Sequence, residues 1–195
     1  MTRTLHALMA LSFTVGYITA ESERLKLLHI TMGYTLLGVL LMRVLWGLWG
    51  PRPARWSVLR QKLLGIRQLV QGVSNIRAWV SKLQAPVLAT SVALVLLCMA
   101  PLVLSGYVAE QDWLGWGDAF GDAHETVANL MLTGVFVHVG AVAGFSLLRQ
   151  KNLATPMLTG RLREKGPDLV RNNQTVWALL LMLGVVFFWG WQLWG

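Results

Sequence analysis

Five long apolar runs leave this 195-residue chain few folds to choose from. They cover 4–20, 27–50, 86–109, 126–148 and 175–194, each near the roughly 20 residues an α-helix needs to cross about 30 Å of hydrocarbon. Water does not reach the backbone there, so such segments must pair their own N–H and C=O groups, which helices do. The expected fold is an all-α integral membrane bundle of about five transmembrane helices in a single domain over 1–195. Charged residues make up only 13% of the chain, against about 25% in a soluble domain. The first run is short, and no Ala-x-Ala cleavage site follows it, so it reads as a retained helix. Pro86 is expected to open the third helix and Pro101 to kink it. With one cysteine, Cys98, the chain has neither a disulfide framework nor a thiolate metal site. Its net charge of +8 would suit nucleic acid only on a water-exposed domain, which these runs do not leave.

That charge instead sets an orientation. Of the seventeen basic residues, all but Arg24 and Lys26 fall at Arg3, between Arg43 and Lys82, or between Arg149 and Arg171. By the positive-inside rule those segments are cytoplasmic, which places the N-terminus on the cytoplasmic side. The opposite side collects Glu21, Glu23, Glu110, Asp112, Asp118, Asp122 and Glu125. Tryptophans such as Trp46, Trp49, Trp113, Trp116, Trp177 and Trp194 cluster near the span ends, as in an aromatic belt. In the connection 57–83, Leu59, Leu63, Ile66, Val70, Val73 and Val80 recur at helical spacing among Arg60, Lys62, Arg67 and Arg77. This pattern predicts a cytoplasmic amphipathic helix lying on anionic lipid.

The four histidines, His6, His29, His124 and His138, all fall in or at the edge of these runs. An ionisable side chain inside hydrocarbon is costly and marks a functional site by default. His124 and His138 are 14 residues apart, so on one helix they share a face and differ by about 21 Å in depth. His29 enters its helix from the outer side, level with His124, and His6 starts near the inner side, level with His138. Each pair comes from two helices and can hold a planar group between them. Haem b, bound without covalent attachment through neutral imidazoles, is such a group. Two bis-histidine haems, His29/His124 outside and His6/His138 inside, would form an electron path. Zinc is the alternative, but it wants about four ligands around one centre, and the acids that might complete such a set lie in the outer loop. Gly16, Gly33, Gly38, Gly134, Gly140 and Gly144 lower the helix surface for close approach of helices or a macrocycle. Arg43 and Arg149 can either pair with haem propionates or snorkel to the headgroups. Asn129 and Thr133 share the helix of two histidines and can orient one of them or simply pack.

The run His124-Glu-Thr-Val-Ala-Asn-Leu130, with His138-Val, Arg149-Gln-Lys-Asn-Leu153 and Met157-Leu-Thr-Gly-Arg161 after it, resembles the bacterial di-haem cytochrome b561 and hydrogenase cytochrome b family. So does the first half, with His6, His29 and Arg43-Val-Leu-Trp-Gly-Leu-Trp-Gly50. The resemblance covers almost the whole chain. It implies a cytoplasmic-membrane protein that passes electrons between the quinone pool and a periplasmic redox partner, a hydrogenase or a small cytochrome c. It also implies the same two histidine pairs, with Arg43 on a haem propionate. A superoxide:quinone oxidoreductase lies within the same resemblance, but an anionic substrate is poorly served by an acidic outer face. A haem-free anchor or transporter is the alternative from another class. Transport would call for paired, broken helices, which the sequence does not display.

Overall fold

The computed structural model describes residues 1–65, 76–112, 115–159 and 174–195, and every regular element among them is a helix. In chain order these are α1 (Thr2–Thr19), α2 (Lys26–Trp49), α3 (Trp56–Leu64), α4 (Ile76–Gln111), α5 (Gly117–Arg149), α6 (Thr155–Thr159) and α7 (Thr175–Trp194). Short 3₁₀ turns at Glu23–Leu25 and Arg52–Ala54 lead into α2 and α3. Four helices, α2, α4, α5 and α7, are long and apolar enough to cross a membrane, so the chain is a multi-pass membrane protein. The fifth expected span, α1, does not meet that measure by itself. Thr2, Arg3, Thr4 and His6 make its first turns polar, although its 18 residues still reach about 27 Å.

Helices α1, α2, α4 and α5 form an antiparallel ring, and paired side chains mark its two ends. At the acidic end Lys26 Nζ lies 3.3 Å from Glu110 Oε2, tying the start of α2 to the end of α4. At the basic end Arg149 donates to Gln84 Oε1, tying the end of α5 to the first turns of α4. Arg3 donates to the Met157 carbonyl at 3.0 Å and to that of Leu158, so α1 starts beside α6. Tyr17 closes the ring by donating to Asn129 Oδ1 at 2.8 Å. Between the ends lies a core of Phe13, Leu36, Leu40, Cys98, Met99, Leu102, Val103 and Met131, so Cys98 is buried packing, as expected. Helix α7 stands outside the ring. Its Leu181 and Val185 pack against the cluster of Leu5, Leu8 and Val39, and Trp189 Nε1 donates to Thr35 Oγ1 at 2.8 Å.

Two expectations change. Pro86 does not open a helix: α4 runs unbroken from Ile76 with both Pro86 and Pro101 inside it. A proline deletes only one N–H donor, and membrane helices tolerate that loss where neighbours pack on the site. At 36 residues, about 54 Å of helix, α4 outruns the hydrocarbon, so Ser81, Lys82 and Gln84 read as a connection while belonging to a helix. In the same way α5 begins at Gly117, more than two turns before the apolar run, and His124 lies well inside it. Of the amphipathic helix expected at 57–83, the first part is α3 and the last is the opening of α4, while 66–75 lie outside the described residues. The corner before α3 is built on Trp56, whose Nε1 donates to the Val44 carbonyl at 3.1 Å. Its indole lies where a side chain at Gly47 would stand.

Candidate functional site

His29 and His124 face each other near the acidic end of the ring, with ring centroids 6.0 Å apart and planes at 80°. His29 sits in the first turn of α2, and its Nδ1 is 2.9 Å from the Gly16 carbonyl on α1. His124 Nδ1 is 2.8 Å from the Leu102 carbonyl on α4. A carbonyl can only accept, so in both rings Nδ1 carries the proton and Nε2 keeps its lone pair. Imidazoles that bind metals are held in this way, with the second nitrogen donating to a carbonyl or carboxylate. A metal–imidazole bond is about 2.0 Å, and about 1 Å more separates each nitrogen from its ring centre, so two rings flanking one metal stand roughly 6 Å apart. The observed spacing matches that of two axial ligands.

Both rings line a cleft of about 800 Å³ walled by α1, α2, α4 and α5, a volume in the range of small-molecule and cofactor sites. Glycines shape its wall. A Cβ at Gly106 would stand 2.7 Å from His124 Cε1 and 2.8 Å from its Nδ1, so only glycine lets this ring lie against α4. A Cβ at Gly33 would meet nothing within 4 Å, leaving that side of α2 open to a flat occupant. All three tyrosines of the chain, Tyr17, Tyr34 and Tyr107, line the cavity. So does Ser12, which is buried and whose Oγ has no partner among the described residues. Buried Thr19, Thr31, Thr35, Ser91 and Ser105 all donate to a carbonyl three or four residues earlier in their own helix. Ser12 is thus left for whatever the cavity holds. The residues present fit a haem with two imidazole ligands: they supply the spacing, the free Nε2 atoms, the bare glycine wall and an unanswered hydroxyl.

The second pair lies toward the basic end. His138 Nδ1 is 3.0 Å from Ser91 Oγ, and Ser91 donates its own proton to the Leu88 carbonyl at 2.9 Å. Ser91 therefore accepts from the imidazole, and Nε2 again keeps its lone pair. His6 is exposed on the second turn of α1. The structure thus brings His29 and His124 face to face, and it holds His138 on Ser91. Among the described residues no cluster of three or more His, Cys, Asp or Glu could hold a metal ion, which counts against the zinc alternative.

Arg43 is engaged at the α2–α3 corner. Its Nη1 donates to the Ala54 carbonyl at 3.2 Å, and its guanidinium lies 4.9 Å from the centre of the Trp56 ring. Asn129 accepts from Tyr17, and Thr133 donates to the Asn129 carbonyl at 3.0 Å. The groups that orient the histidines are instead Gly16, Leu102 and Ser91, two of them through backbone carbonyls that no side-chain pattern announces.

No curated protein and no solved structure matches the chain. A family model described as prokaryotic cytochrome b561 matches residues 1–160, a stretch that holds the whole four-helix ring and all four histidines and stops short of α7. With that match over most of its length, the chain belongs to the prokaryotic cytochrome b561 family, transmembrane proteins that bind haem b and transfer electrons.

Proposed function

We propose that the chain is a di-haem b electron carrier that moves electrons between the membrane quinone pool and a periplasmic redox partner such as a c-type cytochrome. The observation that carries this reading is the His29/His124 pair, 6.0 Å apart across a cavity, with both Nδ1 atoms tied to backbone carbonyls. In this reading His29 and His124 ligate the outer iron and His6 and His138 the inner one. Arg43, held by Trp56 and Ala54, contacts a propionate of the inner haem. Held by two imidazoles, haem at each pair would supply one-electron exchange instead of oxygen activation. The protein's part is to hold the ligand tautomers, to exclude water with the apolar core between the pairs, and to bring the outer site near a docking face. The charge asymmetry supports an N-terminus in the cytoplasm of a bacterial inner membrane and five spans with α1 included, forming one domain over 1–195 in contact with lipid.

The rim of the outer cavity carries Glu21, Glu110 and Glu125, and Glu23, Asp112, Asp118 and Asp122 lie at the same end. Such a surface repels superoxide and attracts a basic protein, which favours a cationic cytochrome over superoxide as partner. Absorption spectra of the oxidised and reduced detergent-purified protein, with haem counted as pyridine haemochrome, test the proposal. Two six-coordinate b haems per chain are expected. In His138→Ala one haem is lost and the other keeps its spectrum. A colourless protein from haem-supplied cells, or loss of both or neither haem in His138→Ala, overturns it.

A further inference from the structure

The two histidines of α5 are 14 residues apart, and so are Ser91 and Ser105 on the antiparallel helix α4. Fourteen residues of helix rise about 21 Å, so an antiparallel pair with this shared spacing brings one serine to each histidine: Ser91 to His138 at 3.0 Å and Ser105 to His124 at 3.4 Å. Each serine ends a Leu-x-x-Ser step, Leu88-Ala-Thr-Ser91 and Leu102-Val-Leu-Ser105; Ser91 donates back to the Leu88 carbonyl at 2.9 Å, and Ser105 lies 2.7 Å from the Pro101 carbonyl and 3.0 Å from that of Leu102. Helix α4 thus offers the same two acceptors, a hydroxyl oxygen and a carbonyl, at both depths. The histidines use them differently. His124 reaches the Leu102 carbonyl directly at 2.8 Å, with Ser105 Oγ farther off. His138 bonds to Ser91 Oγ, and the serine passes the interaction on to the Leu88 carbonyl.

From this we infer that Ser91 is a positioning residue for the inner haem: its hydroxyl oxygen accepts the His138 Nδ1–H hydrogen bond while its own O–H donates to the Leu88 carbonyl, whereas Ser105 is dispensable to the outer haem because the Leu102 carbonyl does the same work through the backbone. The inference rests on the di-haem reading above. The physical content is that an acceptor on Nδ1–H raises the basicity of the ligating Nε2, which favours the ferric over the ferrous ion. Ser91→Ala removes the acceptor and leaves the Leu88 carbonyl bonded within its own helix. The imidazole becomes a weaker donor, and the ferrous form is favoured.

Midpoint potentials of the two haems, measured by optical redox titration of the purified full-length protein, test this. His138→Ala and His124→Ala, which retain only the outer or only the inner haem, assign the two potentials. In Ser91→Ala the inner potential moves upward while the outer stays in place, with two haems still bound. Ser91→Thr, which restores the hydroxyl, brings the inner potential back toward the unaltered value, a rescue that mere packing at this site does not give. Ser105→Ala moves neither potential. Unchanged potentials in Ser91→Ala, or a shift in Ser105→Ala as large as that in Ser91→Ala, overturn the inference while leaving the di-haem assignment standing. Fewer than two haems in the unaltered protein would overturn both.

Discussion

Glycine 106 has one neighbour that matters, the His124 ring, and any side chain at 106 occupies the space that ring now fills. Gly106→Ala must therefore push the imidazole away from α4 and lengthen its 2.8 Å bond to the Leu102 carbonyl. Haem stoichiometry in this variant is expected to fall from two to one per chain, the inner haem remaining. Two haems with unperturbed spectra would show that the ring tolerates the displacement. At this scale the sequence was legible where chemistry is rare: histidines in or beside apolar runs stand out by their cost, and two of them, His29 and His124, face each other in the structure. Their anchors were harder to see. Gly16 and Leu102 act through carbonyls, which every residue has. Ser91 and Ser105 did leave a trace, the interval they share with His138 and His124, but reading it requires knowing that α4 and α5 run antiparallel in register. Arg43 left two readings open in the sequence, and the structure adds a third setting for its charge, over the Trp56 ring.

At the level of elements, hydrophobic runs located the helices and misjudged their ends. α7 coincides with its run, 175–194, whose start is marked in the sequence by Asn172, Asn173 and Gln174. α4 and α5 extend past theirs, since a helix continues into water as long as neighbours cover it, and hydropathy records only the hydrocarbon-embedded part. The α2–α3 corner depends on a side-chain vacancy that no periodicity reveals. Gly47→Ala would place a methyl group inside the Trp56 indole, and overpacking of this kind costs about 1–3 kcal/mol. A lowered Tm with unchanged haem content is expected in a thermal melt followed in detergent. An unaltered melt would mean that Trp56 can swing away freely. The role of α7 is testable in the same terms. It bears no histidine and lies beyond the segment that matches the family, yet Leu181 and Val185 cover the cluster beside His6. Truncation after residue 174 should retain both haems and lower the melting temperature. Loss of a haem on truncation would make α7 part of the haem-binding core.

For the molecule as a whole, the governing feature is that the two ends of the ring differ in charge while the core between His124 and His138 is apolar. The acidic end holds the cavity mouth, and the basic end holds the N-terminus of α1, the α2–α3 corner and the end of α5. A partner that exchanges electrons with the outer site must come within reach of that mouth, and carboxylates there raise the encounter rate for a cation. Steering of this kind acts over about 8–10 Å at ordinary ionic strength and fades as salt is added. Asp112, Asp118 and Asp122 are the residues to reverse, because they lie outside the cavity lining while sharing its end. Their combined change to lysine should slow electron exchange with a basic cytochrome c by about tenfold or more at low salt, a size typical of steered encounters. Haem spectra should stay as they were, and the difference should shrink as ionic strength rises. Stopped-flow traces at two salt concentrations separate the alternatives: equal rates at low salt would place docking away from this face, whereas a salt-independent loss would mean that the substitutions act on the haem site instead of on the encounter.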